Sequence, residues 1–317
     1  MLSAVLAGAL IVAASLMLGA AIMAIAGLPR HSAAGPATGI SALLVICGIA
    51  VKLPGHAVTA AIAVGLVLIG CLVVFGRTWV PAGTFRVGAI VVVVGAALVA
   101  AIPFAASGRV GILGQGLVND DMASHLLFTE WISTHAGPTP DLIKDGYPLG
   151  PHAIVAATSK VSGASLIEGF AGLTGAIAVL LGLTAYGALR GVRGWLRVPG
   201  AVLSASAYLA AAYLAQGAFK EPLLGLALLG FALALPALLP EWTLPRTSRT
   251  VPQRGQPGTF DVRAAIPLGL VGAGAIYNYS FPGLAWLLGA AVIWMLVIAV
   301  RERERATSWL AALRLGE

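Results

Sequence analysis

Residues 87–131 read "VGAIVVVVGAALVAAIPFAASGRVGILGQGLVNDDMASHLLFTEW". The first part, 87–106, carries no charge and has the length, about 20 residues, that a helix needs to cross a bilayer. The second part gathers Asn119, Asp120, Asp121 and His125 within seven residues, and Asp120 is the first acid in the whole chain. One membrane span therefore delivers the chain to a compartment where acidic side chains begin.

Composition extends that reading to the rest of the sequence. Hydrophobic residues make up 59% of the 317 and charged ones 10%, with a mean hydropathy of +0.95. A soluble domain usually carries about 25% charged residues, so this chain cannot cover a water-facing surface. Its 40 glycines fit helices packed closely in lipid. The net charge of +7 comes from basic residues dispersed between apolar runs, which points to positive-inside topology and away from nucleic acid. Cys47 and Cys71 both fall within expected spans and have no metal-ligand spacing. The N-terminus has no Lys or Arg before its apolar run and reads as a retained first span.

Apolar runs near 2–28, 37–53, 56–76, 87–106, 165–189, 198–215, 222–239, 264–279 and 281–300 predict an all-α, polytopic transmembrane helical bundle of about nine spans. Pro282 and Gly283 predict a tight hairpin between the last two. The chain divides into N-terminal transmembrane helices (1–106), an extracytoplasmic loop (107–164), a transmembrane core (165–300) and a charged, then amphipathic cytoplasmic tail (301–317). With the N-terminus outside, 14 of the 19 basic residues fall on one side, which the positive-inside rule makes cytoplasmic. The opposite side receives seven of the twelve acids and four of the five histidines, His56, His125, His135 and His152. The segment 240–263, rich in Pro, Arg, Thr and Gln, reads as a flexible cytoplasmic connector.

The long outer loop contains enough apolar and aromatic residues to predict one or two short helices along the membrane surface. Asn119 is a good helix N-cap, with Asp120, Asp121 and Met122 in the first turn. Acids there also suit the helix dipole, so capping and chemistry stay open as roles for them. The i, i+4 spacing sets Asp121 and His125 on one stripe, and the two carboxylates and the imidazole are expected at one membrane–water boundary. Further on, "DGYPLGPHAIVAA", 145–157, has prolines that stiffen the chain and a glycine that permits close backbone approach, a setting that can aim Tyr147 and His152. An ordinary loop-to-helix entry explains it equally well taken alone. Lys220 and Glu221, in "AQGAFKEPLLG", 215–225, are either a turn-marking charge pair or a cation set to meet a lipid phosphate. Asn278, Tyr279 and Trp286 read as interface anchors.

"NDDMASHLLFTEWI" followed by "YPLGPHAIVAA", and later by "FKEP" and "YNYSFPGLAW", resembles the GT-C superfamily of membrane glycosyltransferases, in particular its Ala- and Gly-rich actinobacterial-type members. The resemblance covers roughly residues 110–300. It implies an integral protein of a bacterial plasma membrane with a short helical extracytoplasmic loop region of GT-C type. Its expected partners are a polyprenyl-phosphate-linked sugar, a cell-envelope glycan, lipid or protein acceptor, and membrane lipid. In that family an acid in an outer loop deprotonates the acceptor hydroxyl, in some members with a divalent metal ion nearby. Carried over, Asp120 or Asp121 is the base, His125 the histidine that follows it and His152 that of the second motif. Lys220 faces the donor phosphate, with Tyr147 and Glu221 beside it as substrate-binding residues, and Asp121 and His125 are the positions for a metal.

Two departures stand out. The acidic loop follows the fourth expected span, where the family has it between the first two. No outer soluble domain follows the core before Glu317, which fits an N-terminal portion of a longer protein or a member without activity. Two readings from other classes remain: a multi-span transporter, disfavoured by the scarcity of charge within the spans, and a noncatalytic scaffold related to these enzymes. A membrane hydrolase using Asp121, His125 and His152 lacks a ligand motif.

Overall fold

The structure, a computed structural model, describes residues 2–76, 87–108, 121–207, 218–238 and 262–314. Asn119, Asp120, most of the expected 240–263 connector and much of the expected sixth span lie outside these residues. The described chain is helical, with no strand among the described residues. Its helices are α1 (Leu2–Ile25), α2 (Gly35–Ala50), α3 (Ala57–Phe75), α4 (Val87–Ser107), α5 (Asp121–Thr134), α6 (Asp141–Lys144), α7 (Gly150–Ser162), α8 (Leu166–Ala188), α9 (Gly194–Ala205), α10 (Lys220–Ala234), α11 (Ile266–Tyr279) and α12 (Pro282–Arg314).

Six of the described helical segments are long and apolar enough to cross a membrane: Leu2–Ile25, Ala57–Phe75, Val87–Ala106, Leu166–Gly191, Lys220–Leu238 and Pro282–Arg301. Burial agrees with lipid as their solvent. On α3, Leu66, Ile69 and Val73 are each more than half exposed, and no water-facing helix would present such a surface. The chain is an integral membrane protein on these grounds.

The bundle is organised around α2, twelve of whose 16 residues are buried. Helices α1, α3, α7, α8, α10 and α11 pack on it. Small residues make this possible. A Cβ at Gly39 would overlap the carbonyl of Ser15 on α1, and one at Gly230 of α10 would overlap the side chain of Ala37. Ser41 faces Gly274 of α11, where a Cβ would stand 2.5 Å from the serine Cβ. Helix α1 ends at Gly27, whose φ of +71° suits a left-handed cap, and the Leu28 amide donates to the Met23 carbonyl at 2.8 Å. The chain can therefore turn sharply into α2.

Helices α1 and α8 lie parallel and begin at the same end. Ser3 Oγ donates to Glu168 Oε1, and a Cβ on Gly8 would stand 2.9 Å from the Gly172 carbonyl. Glu168 also closes a capping box with Ser165, after Gly163 has ended α7 at φ +68°. Helices α11 and α12 are separated by only Ser280 and Phe281 and pack together. Helix α12 runs from its apolar part into the charged tail without a break, up to Arg314.

One expectation about the loop differs in the structure. Of the loop helices, α7 does not lie along a surface, because nine of its 13 residues are buried. Its "AIVAA" run is apolar on all sides and small, so it inserts between α2, α3, α5 and α8.

These close approaches make a prediction about packing. Gly39→Val should lower the thermal unfolding midpoint of the purified protein in detergent, corresponding to a loss of about 1–3 kcal/mol or more. Gly65→Ala, at a position with nothing within 4 Å of the added methyl, should leave the midpoint unchanged. Equal midpoints for both variants would contradict the arrangement of α1 and α2.

Candidate functional site

Helix α5 presents Met122, His125, Phe128, Thr129 and Ile132 as one buried stripe. This is the i, i+3, i+7 pattern of a core-facing helix. His125 therefore points into the bundle, 5% exposed, and not to the membrane–water boundary expected of it. Asp121 opens the helix; its side chain, like Asp120, lies outside the described residues.

The partner of His125 comes from α7. Gly150 begins that helix so close to α11 that a Cβ would stand 2.6 Å from the Tyr277 carbonyl. Pro151 follows in the first turn, where its missing N–H costs nothing. His152, fully buried, is thereby directed at α5, and its Nε2 lies 3.0 Å from His125 Nδ1. One of these nitrogens carries the shared hydrogen and the other accepts it. His152 Nδ1 is buried with no hydrogen-bond partner among the described residues.

Aromatic rings enclose the pair. Phe219 lies 4.6 Å from His125 between ring centroids and 5.7 Å from His152, and it stacks on Phe170 at 5.2 Å. Phe128 and Tyr147 approach His152 at 5.9 and 5.8 Å. The charged member is Lys220, the first residue of α10. Its ammonium donates to the Tyr147 hydroxyl at 2.5 Å and lies 3.8 Å from the centre of that ring. Tyr147 thus satisfies the cation twice, by hydrogen bond and by its π face.

Burial in this apolar cage lowers the His125 pKa to about 4, with the positive charge of Lys220 adding to the effect. His152 is driven well below the usual histidine range, by burial first, then by His125 and by Lys220. Both shifts favour the neutral imidazole, the form in which one ring nitrogen accepts from the other.

Glu221, next to Lys220, meets α11, where the Tyr279 hydroxyl donates to its Oε1 at 3.4 Å. Asn278, 1% exposed, donates from Nδ2 to the Lys220 carbonyl at 2.8 Å. The structure thus brings together His125, Tyr147, His152 and Lys220, with Glu221 at the edge. It adds Phe170, Phe219, Asn278 and Tyr279. Phe219 stands directly before Lys220 and Glu221, where the charges draw the attention, and Phe170 sits in an apolar run that gives no local signal. Asn278 carried one, a polar amide near the end of an apolar helix, which the sequence reading assigned to anchoring. Two other histidines form a separate stack, His56 on His135 at 3.6 Å, with Trp131 4.2 Å from His135.

No three His, Cys, Asp or Glu among the described residues converge as metal ligands do. His125 and His152 offer two nitrogens turned on each other, so the described residues do not by themselves make a divalent-metal site. No family model, no curated protein and no solved structure matches the chain.

The neutral pair has a consequence for pH. A histidine whose native pKa lies below its unfolded value of about 6.5 loses stability on acidification, because the unfolded chain binds the proton first. The unfolding midpoint should therefore fall as pH drops from about 6.5 towards 4, and a His125→Leu, His152→Leu double variant should show a flatter profile. Parallel profiles in the two proteins would remove the pair as the source. His125→Ala alone should cost about 1–3 kcal/mol, because it strands the buried ring of His152.

Proposed function

We propose that the chain is a membrane glycosyltransferase of the GT-C type, moving sugar from a polyprenyl-phosphate donor to a cell-envelope acceptor at the extracytoplasmic face. The observation that carries this reading is convergence. His125, Tyr147, His152 and Lys220 were singled out in separate stretches of sequence, and the folded chain joins them through one hydrogen-bonded pair and one lysine–tyrosine contact. Sidedness adds support: the first turns of α1 and α8 share one end of the bundle with the end of α7. That accords with an N-terminus outside, on the face of the loop, and a cytoplasmic C-terminus. Nine crossings follow if α2, α11 and the segment beginning in α9 are added to the six long helices.

In this reading Asp120 or Asp121 takes the proton of the acceptor hydroxyl. The acceptor oxygen bonds to the anomeric carbon as the bond from that carbon to the phosphate oxygen breaks. The ammonium of Lys220, already held by Tyr147, meets the negative charge left on the polyprenyl phosphate. The cage of His125, His152, Phe128, Phe170 and Phe219 keeps water from the neighbourhood and leaves Lys220 as its only cation among the described cage residues. A lipid-phosphate donor arrives with its leaving group attached, so the reaction needs no nucleotide site.

The test is transfer of labelled sugar from polyprenyl-phosphate donors in membranes containing the protein. Wild type should transfer, and one of Asp120→Asn and Asp121→Asn should lose roughly 10²–10⁴-fold in rate. Lys220→Ala should also reduce transfer. Full rates in both aspartate variants would return the acids to helix capping. Absence of transfer by wild type would remove the enzymatic reading in favour of a transporter or a noncatalytic scaffold.

A further inference from the structure

Three consecutive residues at the end of α11 connect the two halves of the site. The ring of Tyr277 fills the notch that Gly48 leaves on α2, and its backbone abuts Gly150 at the start of the His152 helix. Asn278 holds the carbonyl of Lys220, and Tyr279 reaches Glu221. Ser280, at φ +59°, ends the helix directly afterwards.

The start of α10 has no side-chain cap from Phe219, and the groups such a start leaves open are N–H donors. Asn278 does not fill that role, because it donates to a carbonyl. Its bond instead ties the backbone of Lys220 to α11, a helix already packed against α2 and α10. Its amide can face the carbonyl only with Nδ2, since the flipped form would set two acceptors 2.8 Å apart. That orientation leaves Oδ1 buried without a partner among the described residues. The side chain therefore makes one hydrogen bond among the described residues, and that bond is to the residue whose ammonium meets Tyr147.

We propose that Asn278 is a positioning residue: through the Lys220 carbonyl it aims the Lys220 ammonium at Tyr147 and fixes its place relative to His152. Its consequence for ligand binding rests on the reading that Lys220 meets a lipid phosphate, whereas the geometry of Lys220 can be measured without that reading.

The chain has four lysines, Lys52, Lys144, Lys160 and Lys220. The first three are exposed and serve as internal references. The detergent-solubilised full chain is treated with an amine-acetylating reagent, and the rate at each lysine is followed by mass spectrometry. In Asn278→Ala, Lys220 should react several-fold faster relative to the other three, because its ammonium is no longer held on Tyr147. Thr184→Ala, which removes a buried hydroxyl bond within α8, controls for general loosening and should leave the Lys220 ratio unchanged. An unchanged ratio in Asn278→Ala, or an equal rise in Thr184→Ala, overturns the proposal.

A second arm measures binding of polyprenyl phosphate in nanodiscs by wild type, Asn278→Ala, Lys220→Ala and the double variant. A positioning role predicts that the losses are less than additive, because Asn278 has nothing to aim once Lys220 is gone. Fully additive losses overturn it. If wild type binds no lipid phosphate while the labelling ratio rises as expected, the lipid-phosphate reading of the site fails and the positioning of Lys220 stands.

Discussion

Sixteen residues of helix measure about 24 Å, short of the roughly 30 Å of a hydrocarbon core. Helix α2 has that length, and other helices cover it on every side where lipid would leave its ends unsatisfied. Its contacts are close because one side of each is a glycine: Gly39 meets the backbone of Ser15, and Gly274 and Gly230 meet the small side chains of Ser41 and Ala37. In lipid there is little hydrophobic gain from joining two apolar helices, so association depends on such close fit. The placement of α7, α10 and α11, and through them of His152, Lys220 and Asn278, depends on α2 being narrow.

That dependence explains why a polar cluster can exist in so apolar a setting. Two imidazoles share one hydrogen bond across 3.0 Å, and Lys220 beside them is held by a tyrosine from a different segment. The pair and the lysine–tyrosine contact sit among phenylalanine rings, and His152 Nδ1 is left without a partner among the described residues. Pairing of this kind costs little when every helix returns to the same position and a good deal when one of them shifts.

Much of the helical architecture was legible because a long uncharged run has few alternatives in water or lipid, as 87–106 illustrates. Other parts demanded a choice between two patterns of the same period. His125 is four residues from Asp121, which suggested a polar stripe, and three from Met122 and Phe128, which is the buried stripe the helix adopts. The apolar neighbours decide, since burying Met122, Phe128 and Ile132 outweighs exposing one imidazole. The depth of α7 was hidden because its run of small apolar residues is too short to read as a span. The meeting of Lys220 with Tyr147, 73 residues away, has no local signature at all; only the two glycine notches around Tyr277 hint that α11 must approach both.

The parallel pairing of α1 with α8 also bears on how the protein is made. Their first turns are joined by Ser3 and Glu168, 165 residues apart, so during synthesis α1 enters the membrane long before its neighbour exists. The hairpin of α1 with α2 can close at once, because its contacts are local, while the groove at Gly8 stays open to lipid tails until Gly172 arrives. The sequence distance between the partners thus sets the earliest point at which each contact can exist: the α1–α2 pairing from the first 50 residues, the α1–α8 pairing only once Gly172 has been made.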